Sequence, residues 1–429
     1  MSGDEKGRDA AWPIADLTAA EQQRLQAVTQ RPAVQALLAL LNDTQARTLV
    51  VGGAVRNALL GRPVADLDFA TSLTPHAVQA RAHAAGLKTI PTGIEHGTIT
   101  LLSHGQAFEI TTLRQDIATD GRRATIAYSS SFAEDAARRD FSMNALYADH
   151  NATLFDPVGG LADLRQGRLR FIGDAATRIR EDYLRILRFF RFYADYAHGP
   201  MDQPGLQACI TLKDGMRTLS RERIGQEWLK LLMARRAAET IAHMHTHGLL
   251  DLILPSAADP AGLDRLLALD PHADAMTRLF VLLRPSDPPF AALQTSLRLS
   301  NAQARYLGAL AHALQQIPSL AQAHQSQPAW LARWAFRHGG AIARTALTVW
   351  AALHEREAAD WMALRPRLES LPERSPFSGA DLLAQGLRAG PDLGQALENL
   401  NDLWIDAGCP TDPALHQHLV ARVISADPH

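Results

Sequence analysis

The stretch Leu49-Val50-Val51-Gly52-Gly53-Ala54-Val55-Arg56-Asn57-Ala58-Leu59-Leu60-Gly61, closing with Asp66-Leu67-Asp68, constrains the fold more than any other in this chain. Leu49 to Val51 is an apolar run of buried-strand type. Gly52-Gly53 allows a sharp turn and lets a ligand approach the backbone with no Cβ in the way. Ala54 to Leu60 is a short helix closed by Gly61, and Pro63 forbids its continuation. On a following strand, Asp66 and Asp68 alternate onto one face. Two carboxylates side by side repel unless a cation sits between them, so a divalent metal suits the pair. Gly-Gly and Asp-x-Asp are also ordinary turn chemistry, and the remaining chain decides between the two readings.

Strand signals are confined to the first third of the sequence. Residues 1–17 are expected to be a disordered start. Thr18 caps a first helix with Glu21 completing a capping box, and Pro32 opens a second through Val34, Leu37, Leu38 and Leu41. A helix from His76 to Ala85 follows. Gly97–Leu102 and Ala107–Leu113 then read as a hairpin joined at His104-Gly105. Residues Arg114 to Ser130, with Asp120-Gly121-Arg122-Arg123, have no strong period and read as a mobile, basic loop. A helix from Phe132 to Arg138 precedes Asp140–Tyr147, which runs into a last strand. Beyond Asp156-Pro157-Val158-Gly159-Gly160 the pattern is helical, with one amphipathic helix expected over Thr177–Tyr196 and another over Ser220–Arg236. The fold class is α+β: a small mixed sheet with helices, followed by an all-α remainder without a 34- or 40-residue repeat.

The formal net charge of −2 over 429 residues excludes a global basic field, so any nucleic-acid contact rests on local positive charge. Two distant cysteines, Cys209 and Cys409, exclude a disulfide framework and a cysteine zinc site. No run approaches a membrane span. A cytoplasmic location is the expectation.

Local positive charge is found between Arg165 and Arg191, where eight arginines meet three acids and no lysine. Asp182, Arg185, Arg188 and Arg191 recur every three residues, while Leu184, Ile186, Leu187, Phe189 and Phe190 fill the remaining faces. A solvated helix face with the Glu181–Arg185 pair is the bland explanation. An all-arginine stripe suits planar contacts to bases and phosphates better. A carboxylate only accepts and a guanidinium only donates, so Asp182 beside Arg185 matches a base edge offering an amino donor next to a ring-nitrogen acceptor. Cytosine and adenine have that edge; guanine and uracil present the opposite sense. An unpaired polar edge costs about 1–3 kcal/mol, roughly ten- to hundredfold discrimination per contact.

These residues resemble the class II tRNA nucleotidyltransferases and bacterial poly(A) polymerases of the DNA polymerase beta superfamily. The likeness rests on Gly52-Gly53-Ala54-Val55-Arg56 with Asp66-x-Asp68, on Arg138-Arg139-Asp140-Phe141-Ser142-x-Asn144-Ala145, and on Glu181-Asp182-x-x-Arg185. Ser220-Arg221-Glu222-Arg223-Ile224 resembles a weaker fourth motif that buttresses the neck helices. The resemblance implies a nucleotidyltransferase head over 18–172, a helical neck over 173–255 and a tRNA-binding body and tail over 256–429. It implies catalytic Asp66, Asp68 and Glu109, with two magnesium ions held by Asp66 and Asp68. It implies nucleotide contacts by Gly53, Arg56, Arg139 and Asp140, the last near the ribose hydroxyl. Asp182 and Arg185 would be the template pair, and Arg188 and Arg191 would neutralise phosphates. The loop after Arg114 would help to switch the pocket from CTP to ATP. The implied reaction is addition of the 3′-terminal CCA to tRNA from CTP and ATP, releasing pyrophosphate. The alternatives are a poly(A) polymerase, a CC- or A-adding enzyme, or a noncatalytic RNA- or nucleotide-binding protein. No protein partner follows from these motifs. The family commonly has Asp where this chain has Asn57, which keeps an acceptor and loses the charge. His243, His245 and His247 lack a nearby carboxylate pattern and read as exposed histidines, and Trp330, Trp334, Trp350 and Trp361 read as core.

Overall fold

A computed structural model describes residues 14–103, 105–119, 124–254, 258–283, 290–318 and 329–426. The chain forms two compact units, one of residues 1–227 with 234–236 and the other of 228–233 with 237–429.

The first unit begins with α1 (Ala19–Thr29), capped by Thr18 and Glu21 as expected, and α2 (Pro32–Leu41). Then come β1 (Thr48–Val51), α3 (Gly53–Leu59), β2 (Asp68–Thr71), α4 (Pro75–Ala84), β3 (Lys88–Gly93), β4 (Thr98–Ser103) and β5 (Gln106–Thr112). A separate hairpin of β6 (Arg114–Thr119) and β7 (Ala124–Tyr128) is followed by α5 (Phe132–Ala137), β8 (Tyr147–Ala148), β9 (Leu154–Phe155) and α6 (Gly160–Arg165). The main sheet has seven strands in the order β3-β4-β5-β2-β1-β8-β9. Its centre is β2, antiparallel to β1 and parallel to β5. Leu49, Val51 and Ala70 pack on one face with Phe132, Ala136, Ala145 and Tyr147.

The expected α+β class holds, with three corrections. Arg114–Ser130 is not a loop throughout: β6 and β7 pair along most of it, while residues 120–123 lie outside the described residues. The hairpin is a two-stranded ribbon apart from the main sheet. β3 was also missed; it is an edge strand whose residues are half-exposed to exposed, so its composition carries no apolar pattern. Residues 14–17, expected as part of a disordered start, are tied down. Ile14 bridges Phe155, the Ala15 N–H donates to the Leu154 carbonyl at 3.0 Å, and Arg165 donates to the Asp16 carbonyl at 2.9 Å.

After α6 the first unit is helical, with α7 (Ala175–Glu181), α8 (Leu184–Tyr196) and α9 (Gln203–Leu212), and α10 (Arg221–Leu232) runs on into the second unit. The single helix expected over 177–196 is broken at Asp182-Tyr183. Asp182 leaves the helical region at φ −155°, ψ 105°, and its Oδ1 accepts from the Leu184 N–H at 3.1 Å, capping α8. A short acidic side chain competes with the helix for its own backbone donors, which a stripe count does not register. Tyr183 turns inward where Gly215 passes: a Cβ on Gly215 would lie 1.9 Å from the Tyr183 ring, so only glycine fits.

The second unit is helical throughout its described residues. Trp334 and Trp361 are buried, and Trp330, Trp334, Trp350 and Trp361 form a chain of ring contacts, in line with their reading as core. Further along, Trp404 packs with Leu382, Ala396 and Leu400 and donates to the Pro410 carbonyl at 2.9 Å. His243 and His245 are exposed. No described helix is long and apolar enough to cross a membrane.

Candidate active site

Three carboxylates lie along the central edge of the first unit's sheet. Asp68 opens β2 and stands directly opposite Glu109 of β5 in the parallel register, which puts both on one face. Asp66 precedes them in the same stretch. All three are exposed. The protein packed around Asp68, then Glu109 and Asp66, push its carboxyl above the usual range although it keeps an open surface; Arg139 pulls the other way. Among the described residues no three His, Cys, Asp or Glu side chains converge closely enough to hold a metal. The donor set nonetheless suits a hard cation: carboxylate oxygens alone, with Glu109 and Asp66 both adding to the burial that raises Asp68.

The Gly-Gly turn stands beside this edge. Gly52 has φ +70°, ψ −124°, a region barred to other residues, and its N–H donates to the Leu146 carbonyl at 3.1 Å. A side chain there would face Arg139 Nη1 at 3.6 Å. Gly53 then opens α3 next to the Arg56 guanidinium. Arg139 is anchored from behind by Asp135, with Nε to Oδ2 at 3.0 Å and Nη2 to Oδ2 at 2.9 Å, and its Nε also donates to the Tyr147 hydroxyl at 3.1 Å. Buried Asp135 accepts from Tyr147 at 2.8 Å and pairs with Arg138. Burial alone would raise its carboxyl, but Arg139 and Arg138 overcome that and hold it low.

Asp140 is buried. Its Oδ1 accepts from the Phe141 N–H at 2.8 Å and Asn144 Nδ2 at 3.1 Å, and its Oδ2 pairs with Arg188 at 2.6–2.7 Å. Burial opposes ionisation; Arg188, Asn144 and the Phe141 N–H override it and hold the carboxyl at about 2. Here Asp140 serves as the counter-charge of Arg188, and its two oxygens are already occupied.

The arginine stripe lies on α8, whose buried residues include Ile186, Leu187, Phe189, Phe190 and Tyr193, with Phe189 stacked on Phe171. Arg185 donates to the Arg178 and Arg138 carbonyls at 2.9 and 3.0 Å and pairs with Glu181. Asp182 Oδ2 accepts from Arg223 of α10 at 2.7 Å. Arg191 pairs with Glu227 of α10 at 2.6 Å, and its guanidinium sits 4.2 Å from the Phe192 ring centroid. The first unit thus gathers the Gly-Gly turn, Arg139, Asp140 and α8, and the Arg139 charge is felt at Asp68 on the acidic edge.

Sequence reasoning did not single out Asp135, Tyr196 or Glu227. Asp135 was legible, since it precedes Arg138 and Arg139 by three and four residues on a helix. Glu227 and Tyr196 act across elements, for which the sequence carries no signal.

Residues 48–170 match the Poly A polymerase head domain family, and residues 201–259 match a family described as the probable RNA and SrmB-binding site of polymerase A. The mitochondrial CCA tRNA nucleotidyltransferase 1 of Danio rerio is 32% identical over 374 residues, 86% of this chain and 85% of the relative. The chain belongs to the CCA tRNA nucleotidyltransferase family. The CCA-adding enzyme of Streptococcus pyogenes is 35% identical over 261 residues, 59% of this chain and 64% of that protein. The Bacillus stearothermophilus CCA-adding enzyme, solved in complex with CTP, superposes with a TM-score of 0.68 at 28% identity, covering 92% of this chain and 99% of that one. Members of this nucleotidyltransferase family are generally metal-dependent.

Proposed function

We propose that this protein adds or repairs the 3′-terminal CCA of tRNA, using CTP and ATP without a nucleic-acid template. The tRNA 3′-oxygen attacks the α-phosphate, a new phosphodiester bond forms, the α–β anhydride bond breaks, and pyrophosphate and the hydroxyl proton leave. The observation that carries this reading is one network joining the Gly52-Gly53 turn, Arg139 and the Asp182/Arg185 segment in a chain with CCA-adding relatives along most of its length.

Asp66 and Asp68, with Glu109 opposite, would hold two magnesium ions, whose charge would offset that developing on the phosphate oxygens. Gly53, Arg56 and Arg139 receive the triphosphate: a bare turn leaves backbone N–H groups open beside two guanidinium groups. Asp182 and Arg185 form the base template, accepting from and donating to the shared edge of cytosine and adenine. Both are engaged with Arg223 and Glu181, so base binding exchanges those partners for the base edge. Arg188 and Arg191 neutralise phosphates, and Asp140 orients Arg188, with its ribose role following only when that pair opens. The head spans 18–172, the neck 173–255, and the body and tail 256–429 take the tRNA. Two buried, unpaired cysteines suit a reducing compartment, the cytoplasm.

The deciding experiment incubates the protein with tRNA lacking CCA, magnesium and each labelled nucleotide, then sequences the products. Two C residues followed by one A are expected. Long A tails without use of CTP would make it a poly(A) polymerase, and no incorporation would make it a binding module.

A further inference from the structure

Arg56 is only 6% exposed, yet no carboxylate lies within ion-pair distance of it among the described residues. Every group that holds it is neutral. Nε and Nη2 donate to Asn57 Oδ1 at 3.1 and 3.0 Å, Nη2 donates to the Tyr196 hydroxyl at 2.8 Å, and Nη1 donates to Asn144 Oδ1. The Tyr196 hydroxyl reaches the same Asn57 oxygen at 3.3 Å, and the Arg56 guanidinium lies 4.1 Å from the Tyr196 ring centroid. On its other side Tyr196 stacks with Phe192 and meets Arg62 at 4.5 Å. Burial lowers the basicity of Arg56, and Arg191 adds to that, so the site holds a cation that wants an anion. A buried guanidinium bound only by neutral oxygens keeps its whole charge for a ligand, whereas a carboxylate partner would cancel most of it.

We infer that Tyr196 is the positioning residue for Arg56 and works as a pair with Asn57: with Asn144 on Nη1, these neutral acceptors fix the guanidinium beside the Gly-Gly turn and leave its charge for the incoming triphosphate. The inference rests on the proposed contact between Arg56 and the nucleotide. It also gives Asn57 a purpose. With a carboxylate at that position the guanidinium would be held by charge and the tyrosine hydroxyl would be redundant.

The test is a double-mutant cycle read in steady-state kinetics on tRNA lacking CCA. Tyr196→Phe should raise KM for both CTP and ATP by about tenfold, the worth of one hydrogen bond to a charged group, with kcat within about twofold. The two nucleotides respond alike because they share the triphosphate. In an Asn57→Asp background the same tyrosine change should move KM by less than about twofold. Unchanged KM for Tyr196→Phe, a tenfold rise in both backgrounds, or a loss confined to kcat would each overturn the inference. If Tyr196→Phe does not fold, Asn57→Ala replaces it: a KM rise that Asn57→Asp does not share supports the pair, and equal behaviour refutes it. Arg56→Lys separates the layers. If it leaves KM unchanged, the underlying triphosphate contact fails; if it raises KM while Tyr196→Phe does not, only the positioning role fails.

Discussion

The acidic edge at Asp66, Asp68 and Glu109 and the arginine network on α8 use the same residue types in opposite ways. At the edge, carboxylates face carboxylates, and burial, then Glu109 and Asp66, raise Asp68 above its ordinary range against the pull of Arg139. On the network, charges come in pairs: Asp140 with Arg188, Asp182 with Arg223, Glu227 with Arg191, Glu181 with Arg185. The first region is strained by like charge and gains from a cation. The second is satisfied and must give up partners before it can hold a base or phosphate. A reaction needs both kinds of ground state, one tuned to gain a ligand's charge and one tuned to keep its shape until the right edge arrives.

The difference is broken most directly at Asp68. Asp68→Asn should lower single-turnover incorporation at least about a thousandfold, because the carboxylate that would hold magnesium is gone. The same change should leave Tm unchanged or raise it, since it removes one of the crowded like charges. A drop in Tm alongside lost activity would show that the edge is structural and would end the contrast. Asp182→Ala is the mirror case on the network. It should relax the preference for C and A by roughly ten- to hundredfold in competition with U and G, with folding intact, because Asp182 is surface-accessible and its lost partner Arg223 returns to solvent. Product sequencing with mixed nucleotides reads it, and unchanged selectivity would refute the template role.

How much of this was legible beforehand differs by region for a physical reason. Part of the edge was readable because its logic is local: the parallel register sets Glu109 opposite Asp68 on one face, whereas Asp66, expected on the same strand, lies just before β2 begins. The Asp182–Arg191 segment carried a chemical pattern in the sequence but not its shape. Three-residue spacing suggested one continuous helix, whereas Asp182 caps α8 from outside it, since a side-chain acceptor two residues before a helix start competes with propensity. β3 has no buried face to write an alternating pattern, and the 114–130 hairpin stands apart from the main sheet. Asp140, expected near the ribose hydroxyl, is paired with Arg188 in the structure. That pairing links α8 to the motif 48 residues earlier, and no local rule anticipates it.

Asp140→Asn sharpens the comparison in energy. Removing one member of a buried, hydrogen-bonded ion pair should destabilise the protein by about 2 kcal/mol, below the full value for a closed pair because Arg188 keeps some exposure and has Glu227 at 3.9 Å. Urea unfolding measures this. A neutral or stabilising outcome would mean the network is no more satisfied than the acidic edge.

The smallest expected effect concerns acid stability at a third place, where α1 meets α6. Glu21 accepts from Arg165 at 2.6 and 3.0 Å, and that hydrogen-bonded pairing, against some burial and helped by Thr18, lowers its carboxyl from 4.5 to about 2. The folded form therefore binds fewer protons than the unfolded form between about pH 5 and pH 2. The stabilisation is full above pH 5 and is lost as pH falls through that window. Asp140, also held at about 2, adds a slope of the same sign. Because Arg165 is 43% exposed, solvent screens much of the pair, and Glu21→Gln should cost only about 1 kcal/mol at pH 7. Its diagnostic is the shape of the curve: the urea midpoint of the variant should fall less steeply from pH 5 to pH 3 than that of the parent, while the slope owed to Asp140 persists. Parallel curves would show that Glu21 titrates as an ordinary surface acid, leaving the arginine network as the source of the acid sensitivity.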